Sequence, residues 1–188
     1  MKKQICASLI GLAAVSASHT AAADGWEFPG FNASGYQAEP TVAFVGGVMD
    51  PDAGSADAGA VYGVELSLNC PLLQPPTNRI RQQASLTRYD EDGVEITSFE
   101  INPHYVMPMG ENLEFGFGPG VGVMNVDYGS DDNTLLGLQA GASMHYREGA
   151  FFAGAEARYQ VTTEERFGSG NKQGADNARV LLKVGVNL

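Results

Sequence analysis

The stretch LEFGFGPGVGVMNV, Leu113–Val126, alternates with a period of two. Leu113, Phe115, Phe117, Pro119, Val121 and Val123 occupy its odd positions; Glu114, Gly116, Gly118, Gly120 and Gly122 occupy even ones. Successive side chains of a strand point to opposite faces, so one face is a wall of bulky apolar groups and the other holds glycines and a carboxylate. A half-buried soluble strand would fill its polar face with solvated Lys, Glu and Thr. Large apolar groups outside, with small or charged groups facing a crowded interior, form the pattern of a membrane-spanning β-barrel.

Working outward, eight segments read as strands: Thr41–Val48, Ala60–Asn69, Arg79–Tyr89, Val94–Met107, Leu113–Val126, Leu135–Arg147, Ala150–Thr162 and Asn177–Leu188. Most reach the roughly ten residues that a tilted strand needs to cross a bilayer. Tyr62, Val64, Leu66 and Leu68 oppose Gly63, Glu65, Ser67 and Asn69. Leu136, Leu138, Ala140, Ala142 and Met144 oppose Gly137, Gln139, Gly141, Ser143 and His145, and Val180, Leu182, Val184 and Val186 oppose Arg179, Lys183, Gly185 and Asn187. The third segment makes a poor lipid face from Ile80, Gln82, Ala84 and Leu86, and Gly46-Gly47 leaves the register of the first open.

The connections alternate as well. Asp50–Gly59, Asp90–Gly93, Asp127–Asn133 and Thr163–Asp176 hold Asp50, Asp52, Asp57, Asp90, Glu91, Asp92, Asp127, Asp131, Asp132, Glu164, Glu165 and Asp176 against only Arg166 and Lys172. The other set is Cys70–Asn78, Pro108–Asn112 and Glu148-Gly149. Longer acidic loops therefore share one end of the barrel, and shorter turns share the other with both chain ends.

The 188 residues suffice for one domain, and 22 acids against 11 bases argue against a nucleic-acid partner. Lys2 and Lys3, an apolar run from Ile5 to Ala17 and Ala21-Ala22-Ala23 read as a secretory signal peptide over residues 1–23. Residues Asp24–Pro40, with Trp26, Phe28, Phe31 and Tyr36, are a segment readable as a tail, a plug or a rim-packing piece. One cysteine, Cys70, follows the signal, so no intramolecular disulfide is expected.

On this strand number, alternation and loop asymmetry, residues 41–188 resemble the small eight-stranded outer-membrane barrels of the OmpA transmembrane-domain and OmpX type. The chain ends Lys183-Val184-Gly185-Val186-Asn187-Leu188, with Leu where that family usually ends in an aromatic residue. The resemblance implies an all-β, antiparallel up-and-down transmembrane barrel in a Gram-negative outer membrane. It also implies outer-membrane lipids including lipopolysaccharide, and the barrel-assembly machinery, as partners.

The inward faces collect Glu65, Arg81, Glu100, His104, Glu114, His145, Arg147, Glu156, Arg158, Arg179 and Lys183. An eight-stranded barrel is just wide enough for its own side chains, so these charges are expected to pair as a salt-bridged lumen. A conducting path and a ligand site in a widened mouth are the alternatives. The function expected is structural, surface-interactive or minor solute passage, and not enzymatic. Ser143 and His145 share a face, but it is the inner one, and no set of residues supplies nucleophile, base and oxyanion hole. The glycine run matches no phosphate-binding spacing. His104, His145 and Cys70 are too scattered for a zinc site, and no cofactor is expected. The acidic loops are candidates for divalent cations.

The rival reading is a periplasmic, lipocalin-like soluble barrel around an apolar ligand, which uses the same alternation with the faces exchanged. Glycine-rich polar faces argue against it. The signal reading predicts a mature chain that begins at or near Asp24 and fractionates with outer membranes; N-terminal sequencing of the membrane fraction checks both, and full-length protein in the cytoplasm would refute it.

Overall fold

The computed structural model describes residues 25–28, 30, 35–53, 56–128, 131–166 and 172–188. The expected signal peptide lies outside the described residues. The strands are β1 Thr41–Asp52, β2 Gly59–Asn69, β3 Arg79–Glu91, β4 Val94–Pro108, β5 Leu113–Tyr128, β6 Asp131–Glu148, β7 Phe151–Thr162, the two-residue β8 Glu165–Arg166 and β9 Lys172–Gln173, and β10 Asp176–Asn187. Eight of them close into an antiparallel barrel: β1 to β7 pair in sequence, β7 pairs with β10, and β10 returns to β1. Closure leaves no free edge, so each of these strands is paired with a neighbour on both sides.

All eight expected strands are present, and six of them run further than expected toward the acidic loops. β1 continues to Asp52 and β6 begins at Asp131. The small β8–β9 hairpin lies in the last loop, where no strand was expected. The extensions escape the apolar-outside rule because the rule changes along the barrel axis. In the lower part Phe44, Leu66, Phe99, Phe117, Val121, Leu138 and Leu182 face out; Phe44 is 77% exposed, and Leu138 and Leu182 are each 65% exposed. Nearer the acidic loops the outward positions become Asp50, Arg88, Glu95, Asn125 and Thr134.

The inner face inverts in step. Met49, Val61, Tyr89, Val94, Ile96, Met124, Val126, Leu135, Ala175 and Leu181 form one buried apolar cluster inside the loop end. That corrects the expectation of an interior holding only small or charged residues. At this level the barrel has the inside-out pattern of a soluble protein, consistent with strands that project past the bilayer: β6 has 18 residues, where about 9–11 suffice to cross.

The first strand's register is settled by its pairing, with Val42, Phe44 and Val48 outward and Ala43, Val45 and Met49 inward. Ile80, Ala84 and Leu86 of β3 do form its outer face. Among its described residues the N-terminal segment packs on the rim: Ala38 O accepts from Asn69 N–H at 2.8 Å, and Tyr36 donates its hydroxyl to Asn69 O.

One ladder is interrupted. β4 and β5 pair with Ile101 opposite Val121 and Tyr105 opposite Phe117, and the pairing lapses between. That register sets Pro103 against Pro119, two residues without an N–H, so neither can donate across the seam. The Pro103 carbonyl oxygen instead lies 2.0 Å from where a Cβ on Gly118 would stand. Only glycine permits that approach. Pro103→Val with Pro119→Val should restore two ladder bonds and raise stability by about 1–3 kcal/mol. Gly118→Ala should lower it, since the obstacle is backbone. Urea unfolding of the vesicle-reconstituted barrel measures both.

Candidate functional site: the barrel lumen

Period-two alternation places one side chain in two on the lumen side, and the inward residues of facing strands meet across it. Glu65 of β2, Glu100 of β4, Glu156 and Arg158 of β7, and Arg179 and Lys183 of β10 are all buried. They form a chain of alternating sign. Lys183 Nζ donates to Glu65 Oε2 and to Glu156 Oε2, each at 2.6 Å. Glu156 continues to Arg158, and Arg158 continues to Glu100. Arg179 Nη1 ends the chain 2.7 Å from Glu100 Oε1. Three carboxylates and three cations balance. Arg179 is held further by Nη2 to Gln160 Oε1 at 2.6 Å and Nε to Asn177 Oδ1 at 3.0 Å.

The inward glycines make room for these groups. A Cβ on Gly120 would lie 1.7 Å from Asn102 Oδ1, and one on Gly137 would lie 2.2 Å from Gln160 Nε2. The bare inner face of β5 is thus the space that long polar side chains of its neighbours occupy.

A second cluster closes the lower end. Glu114 of β5 accepts from Arg147 Nε at 3.0 Å and also pairs with Arg79 of β3. Arg79 reaches Glu39, in the chain before β1, at 2.6 Å. Arg147 Nη1 donates to Thr41 Oγ1 at 2.7 Å and Asn187 Oδ1 at 2.6 Å, and its guanidinium lies 4.7 Å from the centre of the Phe152 ring. Among the described residues Arg81 has no short carboxylate contact; Glu39 Oε2 is 3.8 Å away, and Arg81 donates to Glu39 O at 2.9 Å, Thr41 Oγ1 at 3.2 Å and Asn69 Oδ1 at 3.2 Å.

The expected lumen residues all face inward, and they fall into these two clusters with the histidines apart. His104 Nδ1 is 3.0 Å from Ser143 Oγ and 3.4 Å from Gln83 Nε2. His145 packs its ring against Phe152 at 5.3 Å between centroids, and its nitrogens have no hydrogen-bond partner among the described residues. Ser143 therefore meets His104, not His145, in a buried place that a lipid substrate could not enter. Arg79 and Glu39 were missed. Arg79 lies two residues from Arg81, hence on the same face, and that parity could have found it; Glu39 precedes any strand and carries no such signal.

Above the ion chain, the apolar cluster seals the loop end, and Tyr89 donates its hydroxyl to Asp57 O at 2.6 Å there. Among the described residues, no three His, Cys, Asp or Glu side chains converge to hold a metal ion. Ionic below and apolar above, the lumen is filled by its own side chains.

Comparison with solved structures returns this architecture. The N-terminal β-barrel domain of Pseudomonas aeruginosa OprF aligns with a TM-score of 0.52 at 19% identity, over 81% of this chain and 100% of that one. Ail, the attachment invasion locus protein of Yersinia pestis, gives 0.52 at 13% identity, over 81% and 100%. Neisserial surface protein A gives 0.54 at 15% identity, over 79% and 97%. No protein-family model and no curated protein matches the sequence. The chain has the fold of the small eight-stranded outer-membrane barrels.

Replacing Lys183 by Met should leave Glu65 and Glu156 without their shared cation and cost about 3–5 kcal/mol. Replacing Arg88, whose pair with Glu95 is exposed, should cost no more than about 1 kcal/mol. Urea midpoints of the two reconstituted variants compare them directly; equal losses would show that the lumen chain contributes no more than a surface pair.

Proposed function

We propose that this protein is a Gram-negative outer-membrane barrel, inserted with its acidic connections outward, that acts through its exposed surface and has no catalytic role. The observation that carries the reading is the unbroken alternation Glu65–Lys183–Glu156–Arg158–Glu100–Arg179 across the lumen. Opening a path past it would strand several buried charges at once, each costly without its partner. The apolar seal above adds a second barrier. Steady solute passage is disfavoured on both counts.

What then reaches the outside is the acidic end, built on strands that run beyond the apolar band. That surface suits envelope integrity or surface interaction, with divalent cations able to link its carboxylates to anionic lipopolysaccharide. The descriptions of Ail as an attachment invasion locus protein and of its neisserial counterpart as a surface protein agree with such a role. The soluble, lipocalin-like alternative would need a polar exterior and an apolar chamber; the exposed band and the filled lumen favour the membrane reading.

Reconstituted in planar bilayers, the protein should give no steady conductance. Unboiled protein should migrate differently from boiled protein on detergent gels, as a closed barrel with no free edge resists the detergent. On intact cells, protease should cut within Asp50–Gly59 and Thr163–Asp176 and spare Cys70–Asn78. A stable, porin-sized current would overturn the closed-lumen reading, and cleavage at Cys70–Asn78 would invert the orientation.

A further inference from the structure

At the end opposite the acidic loops, the N-terminal segment is tied to the β2–β3 connection by a single rung of sheet. Glu27 N–H donates to Gln74 O at 2.9 Å, Gln74 N–H returns a bond to Glu27 O at 2.8 Å, and Gly30 N–H donates to Pro71 O at 2.6 Å. Trp26 and Phe28 flank Glu27 in this extended stretch, so they share one face and Glu27 takes the other. That face is bare: Phe28 is 71% exposed and Trp26 is 37% exposed.

Two large aromatic rings on a hydrogen-bonded piece of backbone mark a surface that meets something. The β2–β3 connection identifies it. Leu73, with Ile80, joins Pro103, Tyr105, Phe117 and Pro119 around a concavity of about 480 Å³ on the outer wall of the barrel. Phe117 belongs to the exposed apolar band, so the connection that carries the rung is folded against the lipid-facing surface at its lower edge. Tyr105 lies at the same edge, its hydroxyl accepting from Asn78 Nδ2 at 2.7 Å. Aromatic residues concentrate at the two edges of such a band, where the rings meet headgroups.

We infer that Trp26 and Phe28 form an interfacial anchor that seats the N-terminal segment among the headgroups of the inner-leaflet phospholipids. The inference rests on the membrane reading above and adds a contact outside the barrel wall. Its chemistry is that of an amphipathic strip: the two rings toward the acyl boundary, Glu27 toward water.

The sequence contains one tryptophan, so emission reports this place alone. The protein isolated from membranes is reconstituted into phosphatidylcholine and phosphatidylglycerol vesicles, with chains brominated either near the ester linkage or near their ends. Trp26 should lose roughly half its emission to bromine near the linkage and far less to bromine near the chain ends, the depth typical of an interfacial ring. Iodide should quench it weakly in vesicles and strongly after Phe28→Asp, while that variant keeps the heat-shifted gel band of an intact barrel. Free access of iodide in vesicles overturns the anchor. So does a tryptophan shielded from iodide and bromine alike, which would mean that protein covers the patch. Loss of the heat-shifted band in the unmutated protein would instead remove the membrane reading itself.

Discussion

A charge sealed inside eight strands has no water to turn to, and this requirement organises the molecule. An unpaired buried ion costs several kcal/mol, and in the chain across the lumen every carboxylate has a cation on another strand. The resulting bonds tie β2, β4, β7 and β10 to one another through the lumen, at right angles to the ladders that tie neighbours. Register follows from both directions at once. A one-residue slip of β10 would carry Lys183 and Arg179 to the lipid face and Leu182 into the ion chain.

The same requirement explains where the polar lumen stops. Beyond Arg179 and Glu100 the inward side chains are first neutral and polar, Asn177 and Ser98, and then apolar, while the outward positions turn polar. On the proposed membrane reading, inside and outside exchange character at the level where the surroundings change from hydrocarbon to water. A strand such as β5 is therefore written in two halves with opposite meaning. Phe117, Val121 and Val123 are apolar because they face out; Met124 and Val126 are apolar because they face in.

This exchange marks the limit of what the sequence discloses. Period two is visible wherever the two faces differ, so eight strands, their faces and the inward placing of Glu65, Glu100, Glu156 and Lys183 can be read directly. Alternation says nothing of height along the barrel axis. That Lys183 meets Glu65, 118 residues away in the chain, depends on the stagger of the closed sheet, as does the distance of His145 from the ion chain. The apolar seal escaped for a related reason: Ile96, Val126 and Leu135 sit on the inward parity, yet an expectation that apolar means outward has no place for them. The opposition of Pro103 and Pro119 is set by the β4–β5 register, which neither proline announces alone.

That opposition also shows why lateral pairing alone does not hold this wall. Where β4 and β5 lose two donors to proline, each strand is secured by other means. Glu100 on β4 reaches across the lumen to Arg158 of β7 and Arg179 of β10, two residues before the seam begins. Glu114 on β5 holds Arg79 of β3 and Arg147 of β6, a short way past its other end. The seam is thus bracketed by ion pairs that bypass it. Gly118 allows the Pro103 carbonyl to settle against backbone, where a Cα–H offers a weak partner. Two prolines face to face in one ladder would be a defect in a barrel held only by its ladders; here transverse bonds carry the restraint that the ladder lacks.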